Sequence, residues 1–230
     1  MFATGVYRDA SGINAAMGRV YFHMMCAVLT SMLISYGVGT SPELSKFFLT
    51  GVMHWVVVLA PLVFIFIVPV ILESNPPAPV AVGTLHAFAG LMGLSMSVIF
   101  ITYAMTSIFT AFMGAAVLFG TMSMYGYFTK RSLEGMGSFL FVGLIAIIIA
   151  SIINIFVGST IMQMVISAIS ILIFLGFTAY DTQQIREAVS VEGDDWMAVE
   201  IMGALTLYLD FINLFVNLLQ LIGVAPGNDD

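Results

Sequence analysis

The chain has 230 residues, of which 60% are hydrophobic and 8% charged, and its mean hydropathy is +1.08. A soluble domain carries about 25% charged residues, so this composition argues against a soluble globular protein and for a polytopic membrane protein. The formal net charge of −7, with no basic tract, offers nothing to read a phosphate backbone and argues against nucleic acid as a partner.

The N-terminal stretch 1–18 is polar and lacks an apolar core with a cleavage site, so it does not read as a cleaved signal peptide. The first apolar span is expected to serve as its own insertion signal. A membrane-crossing helix needs about 20 mostly apolar residues. By that measure seven spans follow in order, at 19–39, 51–72, 80–103, 108–128, 136–157, 160–180 and 197–223. The separators carry breakers: Ser41-Pro42-Glu43, then Asn75-Pro76-Pro77-Ala78-Pro79, Lys130-Arg131, Gly158-Ser159, and Glu192-Gly193-Asp194-Asp195. The break at 104–107 is the weakest, and a six-span arrangement with a re-entrant segment is its alternative. The expected fold is therefore all-α, a single seven-span membrane domain covering residues 1–230.

With the N-terminus cytoplasmic, Arg8, Arg19, Lys130, Arg131 and Arg186 fall inside and only Lys46 outside. An odd number of spans then places the acidic tail Asp229-Asp230 outside. Pro61 and Pro69 are expected to kink the second span. The small residues of the third and fourth spans suit close helix packing. Cys26 is the only cysteine, so no intrachain disulfide forms. The 17 methionines are scattered and read as packing or lipid-facing residues rather than copper ligands. His23, His54 and His86 lie on separate spans without paired spacing. His86 reads as a satisfied interior histidine, or as one lining a path. The acidic turn 192–195 lacks the ordered ligand spacing of a calcium loop, so no dedicated metal site and no cofactor are expected.

The last span is the informative one. Thr206, Asp210, Asn213, Asn217 and Gln220 follow one another at helical spacing and share one face. Such a stripe should face a partner helix, through interhelical hydrogen bonds, or a water-filled cavity. Asp210 is costly inside a membrane and marks a functional position. Asp181 closes the preceding span. The two acids lie at similar distances before and after the turn at 189–196, and so at similar depth on the cytoplasmic side of the midplane. Facing each other, two carboxylates resist double ionisation, share a proton and titrate as a unit.

Thr178-Ala179-Tyr180-Asp181-Thr182-Gln183-Gln184-Ile185 followed by Leu207-Tyr208-Leu209-Asp210-Phe211-Ile212-Asn213-Leu214-Phe215 resembles the two-aspartate signature of the Bax inhibitor-1, or transmembrane Bax inhibitor motif, family. Met17-Gly18-Arg19-Val20-Tyr21 before the first span is similar too. The resemblance implies three-helix layers around a central last helix, and a pH-sensitive calcium leak with the aspartate pair as proton sensor and latch. It implies Ca2+ as a transported ion rather than a cofactor. The short tails suit a bacterial member in the plasma (inner) membrane, where some relatives modulate a membrane-bound protease.

The bacterial calcium-leak member adds an arginine from the second span to its latch. The second span here has no Lys or Arg, and its cytoplasmic end carries Glu73. Either Arg19, Arg186 or Lys130 takes that place, or the acids share a proton without a cation, or Glu73 joins them to attract one. Two rival readings stand beside the channel. An intramembrane aspartyl protease also uses two membrane aspartates, but Leu207-Tyr208-Leu209 replaces its Gly-x-Gly before Asp210 and no Pro-Ala-Leu motif occurs, so the chain is not read as an enzyme. An interaction protein that restrains a membrane protease without transport is the other.

Overall fold

The computed structural model describes residues 6–193 and 196–223. After a two-residue strand β1 (Val6–Tyr7) come the helices α1 (Ala10–Gly39), α2 (Pro42–Phe48), α3 (Gly51–Glu73), α4 (Ala78–Met96), α5 (Ile99–Thr102), α6 (Met105–Phe128), α7 (Glu134–Val157) and α8 (Thr160–Ala188). Strand β2 (Val191–Glu192) and helix α9 (Trp196–Ile222) complete the order. Among the described residues, seven helical stretches are long and apolar enough to cross a membrane, with α4 and α5 together forming the third. The fold is all-α and polytopic. Large apolar side chains such as Phe66 and Phe156 stand 79% and 85% exposed on these helices. Bare apolar faces of that kind suit lipid, not water.

Local chemistry sets the element ends. Asp9 caps α1 by accepting from the Gly12 amide at 2.7 Å, so the helix begins nine residues before the apolar run at Arg19. The Ser41-Pro42-Glu43 breaker is itself a helix start, with Ser41 as N-cap, Pro42 in the first turn and Lys46 in the last turn of α2. Tyr103 and Ala104 are extended and divide α5 from α6 at the weak break. Helix α3 runs unbroken through Pro61 and Pro69. Gly158, at φ 66°, ends α7 in the left-handed conformation. Helix α8 continues eight residues past Tyr180, because Gln183, Gln184, Ile185 and Arg186 are acceptable helix formers. Asp181 therefore lies within a helix and not at its end.

The chain forms two compact units. One comprises the described residues up to Tyr103 with Ile185–Tyr208, and the other Ala104–Gln184 with the described residues from Leu209 on. In the first, α1 packs on α4, and a Cβ at Gly93 would stand 2.7 Å from the Ser31 carbonyl oxygen, so glycine sets that approach. β1 pairs antiparallel with β2, joining Val6 to Glu192 and Tyr7 to Val191 across the α8–α9 connection. In the second, a Cβ at Gly126 of α6 would meet the Ala179 backbone of α8. Half of the most apolar stretch of α9 is buried, the largest share of any span, compared with 17% for α7. The acidic residues Asp194 and Asp195 and the tail Asp229-Asp230 lie outside the described residues.

Candidate functional site: a carboxyl pair on the last two helices

Asp181 of α8 and Asp210 of α9 belong to the same unit, and each is the other's charged neighbour. Asp210 is 4% exposed, and its Oδ2 is buried without a hydrogen-bond partner. Asp181 is half-buried. An ionised carboxylate has no hydrogen to donate. Two neighbouring carboxyl groups can therefore bond to each other only when one of them carries a proton. Among the described residues, the charged neighbour of each carboxyl is the other.

The residues next to Asp181 hold its helix in place. Thr182 is fully buried and lies 3.0 Å from the Ser123 hydroxyl of α6. The Gln183 side-chain oxygen accepts from the Leu133 amide at 2.7 Å, and its nitrogen donates to the Arg131 carbonyl at 2.9 Å. The glutamine of the sequence motif thus ties the α6–α7 connection to α8. Thr178 donates to the Phe174 carbonyl one turn back.

The polar stripe of α9 is uneven. Thr206, Asn213 and Asn217 are half-buried, and each donates to the carbonyl four residues back in its own helix. Gln220 is exposed and makes the interhelical bonds, accepting from Gln163 Nε2 at 2.7 Å and Ser167 Oγ at 2.9 Å. Gln163 in turn accepts from Asn154, whose oxygen receives the Ser159 amide at the α7–α8 turn. Of the five stripe residues only Asp210 is buried.

The other candidates lie elsewhere. Glu73 is exposed at the end of α3. Lys130 is exposed in the α6–α7 connection. Arg186 is half-buried in the last turn of α8. His86 Nδ1 lies 2.8 Å from the Thr30 hydroxyl. Arg19 forks onto Glu200, Nε to Oε2 at 2.8 Å and Nη2 to Oε1 at 2.6 Å, and its guanidinium stands 5.5 Å from the Trp196 ring centre. Arg8 adds a second contact to Glu200 at 3.5 Å. Sequence reasoning missed Glu200, which is fully buried. Its signal was present, since it lies ten residues before Asp210 among apolar neighbours. Among the described residues, no group of three or more His, Cys, Asp or Glu is arranged to hold a metal ion.

The sequence matches the family model described as "Inhibitor of apoptosis-promoting Bax1" over residues 13–226. It is 33% identical over 223 residues to the inner membrane protein YbhL of Escherichia coli K12, covering 95% of each chain. It is 34% identical over 228 residues to the uncharacterized protein YrjE of Lactococcus lactis, covering 96% of this chain and 95% of that one. Over 138 residues it is 45% identical to the uncharacterized protein RP147 of Rickettsia prowazekii, covering 59% of this chain and 58% of that one.

Proposed function

This chain belongs to the Bax inhibitor-1 family, and on that footing we propose that it is a pH-sensitive cation leak channel, with Ca2+ as a conducted ion and Asp181 and Asp210 as its proton-operated gate. The observation that carries the reading is the placement of these two carboxyls as neighbours on α8 and α9, with Asp210 buried and its Oδ2 without a hydrogen-bond partner. One proton holds the pair together. Its loss leaves two carboxylates side by side, which at 4 Å repel by about 4 kcal/mol for an effective dielectric near 20. Since each 1.4 kcal/mol is tenfold, that repulsion shifts the paired-to-parted equilibrium by about a thousandfold. Low pH therefore favours the paired arrangement and high pH the parted one.

Asn213 and Asn217 continue along the same helix face, and their side-chain oxygens are the hard ligands that a calcium ion accepts in passing. Arg19 is engaged with Glu200, which favours a proton-sharing latch without a cation. The setting is a bacterial plasma membrane with the N-terminus cytoplasmic and the C-terminus outside, and no catalytic step is assigned to the acids.

The test is Ca2+, H+ and K+ flux through purified protein in liposomes across a pH series. Protein-dependent Ca2+ flux that changes with pH is the expected result. No flux at any pH would reject the channel and leave an interaction protein that restrains a membrane protease.

A further inference from the structure

Helices α8 and α9 are tied together at a second level, in the unit that holds the carboxyl pair. Gln220 lies ten residues beyond Asp210, about 15 Å further along α9 at 1.5 Å per residue. Its side-chain oxygen accepts from Gln163 Nε2 at 2.7 Å and from Ser167 Oγ at 2.9 Å, both on α8. An amide oxygen has two lone pairs, and both are taken here. Gln163 is itself held, because its oxygen accepts from Asn154 Nδ2 of α7 at 3.1 Å, and the Asn154 oxygen accepts from the Ser159 amide at 3.1 Å. The Ser159 hydroxyl accepts in turn from the Met162 amide at the start of α8, at 3.2 Å. A chain of bonds thus runs from the α7–α8 turn, across α8, to the last turn of α9. Asn154 is 8% exposed and Ser167 fully buried, so these bonds are made largely out of water.

Between the two levels the polar side chains bond within their own helices. Asn213 and Asn217 of α9 donate to the carbonyls of Leu209 and Asn213. Ser170 and Thr178 of α8 donate to those of Ile166 and Phe174. Among these residues, the hydrogen bonds that cross from α8 to α9 are those of Gln220. Its level also differs from the carboxyl pair in chemistry, since amides and serine hydroxyls do not titrate in the physiological range. In the same unit, α6 up to Met124, α7 after Glu134, α8 before Tyr180 and α9 after Asp210 carry no titratable side chain. A change of pH that parts the carboxyls therefore leaves the Gln220 bonds as they are.

We propose that Gln220, with Gln163 and Ser167, forms a second closure of the passage, a proton-independent constriction in series with the carboxyl pair. It rests on the channel reading. The polar face running from Asp210 through Asn213 and Asn217 then ends at an oxygen whose lone pairs are filled. A passing cation can use that oxygen only after Gln220 turns away from α8. Two closures in series keep the leak small when either one alone is open.

Thiol labelling of the full-length protein, in a C26S background, tests it. N217C places a cysteine between the two levels, and its loss of the amide removes only a bond within α9. I222C places one beyond Gln220, at a position already 44% exposed. A membrane-impermeant thiol reagent is applied to sealed vesicles of each orientation. I222C identifies the face on which α9 ends and gives the rate of an open site. From that face N217C should label far more slowly than I222C. Q220A should raise the N217C rate several-fold, on the order of tenfold, because single hydrogen bonds between membrane helices are weak. Q163L, which keeps Gln220 and removes its partner, should act in the same direction. Rates are taken relative to I222C, since thiolate content rises with pH, and on that scale the gain should be the same on either side of neutrality. N217C that labels as fast as I222C with Gln220 intact, or that neither Q220A nor Q163L opens, would overturn the proposal. Labelling reads water access and not ion flux. N217C left closed by Q220A in a protein that conducts Ca2+ removes the second closure alone, whereas N217C opened by Q220A in a protein that conducts nothing removes the channel alone.

Discussion

Arg19 and Glu200 form a two-point ion pair across 181 residues of sequence, and its two sides are unequally buried: the arginine side chain is 44% exposed and the glutamate 1%. Removing one partner of a buried pair costs about 3–5 kcal/mol when a charge is left stranded. R19M leaves the buried glutamate with Arg8 at 3.5 Å as its remaining partner, so the glutamate is only partly stranded. R19M should still destabilise the protein more than E200Q, which leaves Arg19 able to reach water and keeps a neutral amide beside Arg8. Thermal unfolding in detergent measures both variants, and the double variant R19M/E200Q should recover most of the R19M loss.

Ser31 and Tyr208 should show a similar asymmetry. The Ser31 hydroxyl lies 2.7 Å from the Ala89 carbonyl and 2.7 Å from the Tyr208 hydroxyl, and Tyr208 is fully buried. With the serine hydrogen given to Ala89, the tyrosine is the donor. Y208F leaves an acceptor unfilled, whereas S31A strands a buried O–H, at about 1–3 kcal/mol. S31A should be the costlier change, measured as the shift in unfolding midpoint.

Gly126 and Gly120 make a matched pair on α6. A Cβ at Gly126 would stand 2.9 Å from the Ala179 Cα and carbonyl carbon, while one at Gly120 meets nothing within 4 Å. G126A must push α6 from the helix that carries Asp181, at a cost of about 1–3 kcal/mol for overpacking. G120A should be neutral or stabilising, by up to about 1 kcal/mol, from helix propensity. Unfolding midpoints of the two variants separate these outcomes.

Much of this architecture was legible before any coordinates. Seven spans, the separators and the two acids follow from hydropathy and charge, because lipid imposes length and polarity on the whole chain. The helix ends were less legible. Asp9 and Ser41 extend or start helices through capping bonds that hydropathy cannot register, and Gln183 and Gln184 look like a loop by polarity but propagate α8. Glu200 was missed because it stands outside the polar face that drew attention to Asp210. Its arginine partner is remote in sequence. The stripe itself was read as five equivalent polar residues. Two of its amides instead satisfy their own helix, a local bond that spacing alone does not distinguish from an interhelical one.

Gln183 offers a readout of the α6–α7 connection. Q183A removes both of its bonds, to Leu133 N and Arg131 O, and leaves Thr182 and Asp181 in place. Hydrogen exchange should quicken at Leu133 and its neighbours, with the exchange of α8 itself little changed. Equal acceleration throughout α8 would mean that the glutamine holds the helix rather than the connection.

The central claim is that Asp181 and Asp210 act as one proton-operated unit, and the most direct test is the pH dependence of Ca2+ flux in liposomes for wild type, D181N, D210N and the double variant. An asparagine keeps the shape of a neutral carboxyl and does not titrate. Two groups that share a proton act as one, so on this claim the effects should not add. Each single substitution should flatten the pH profile, and the double substitution should change it little further. A wild-type pH profile that survives in the double variant would contradict the account and move the sensor away from the pair.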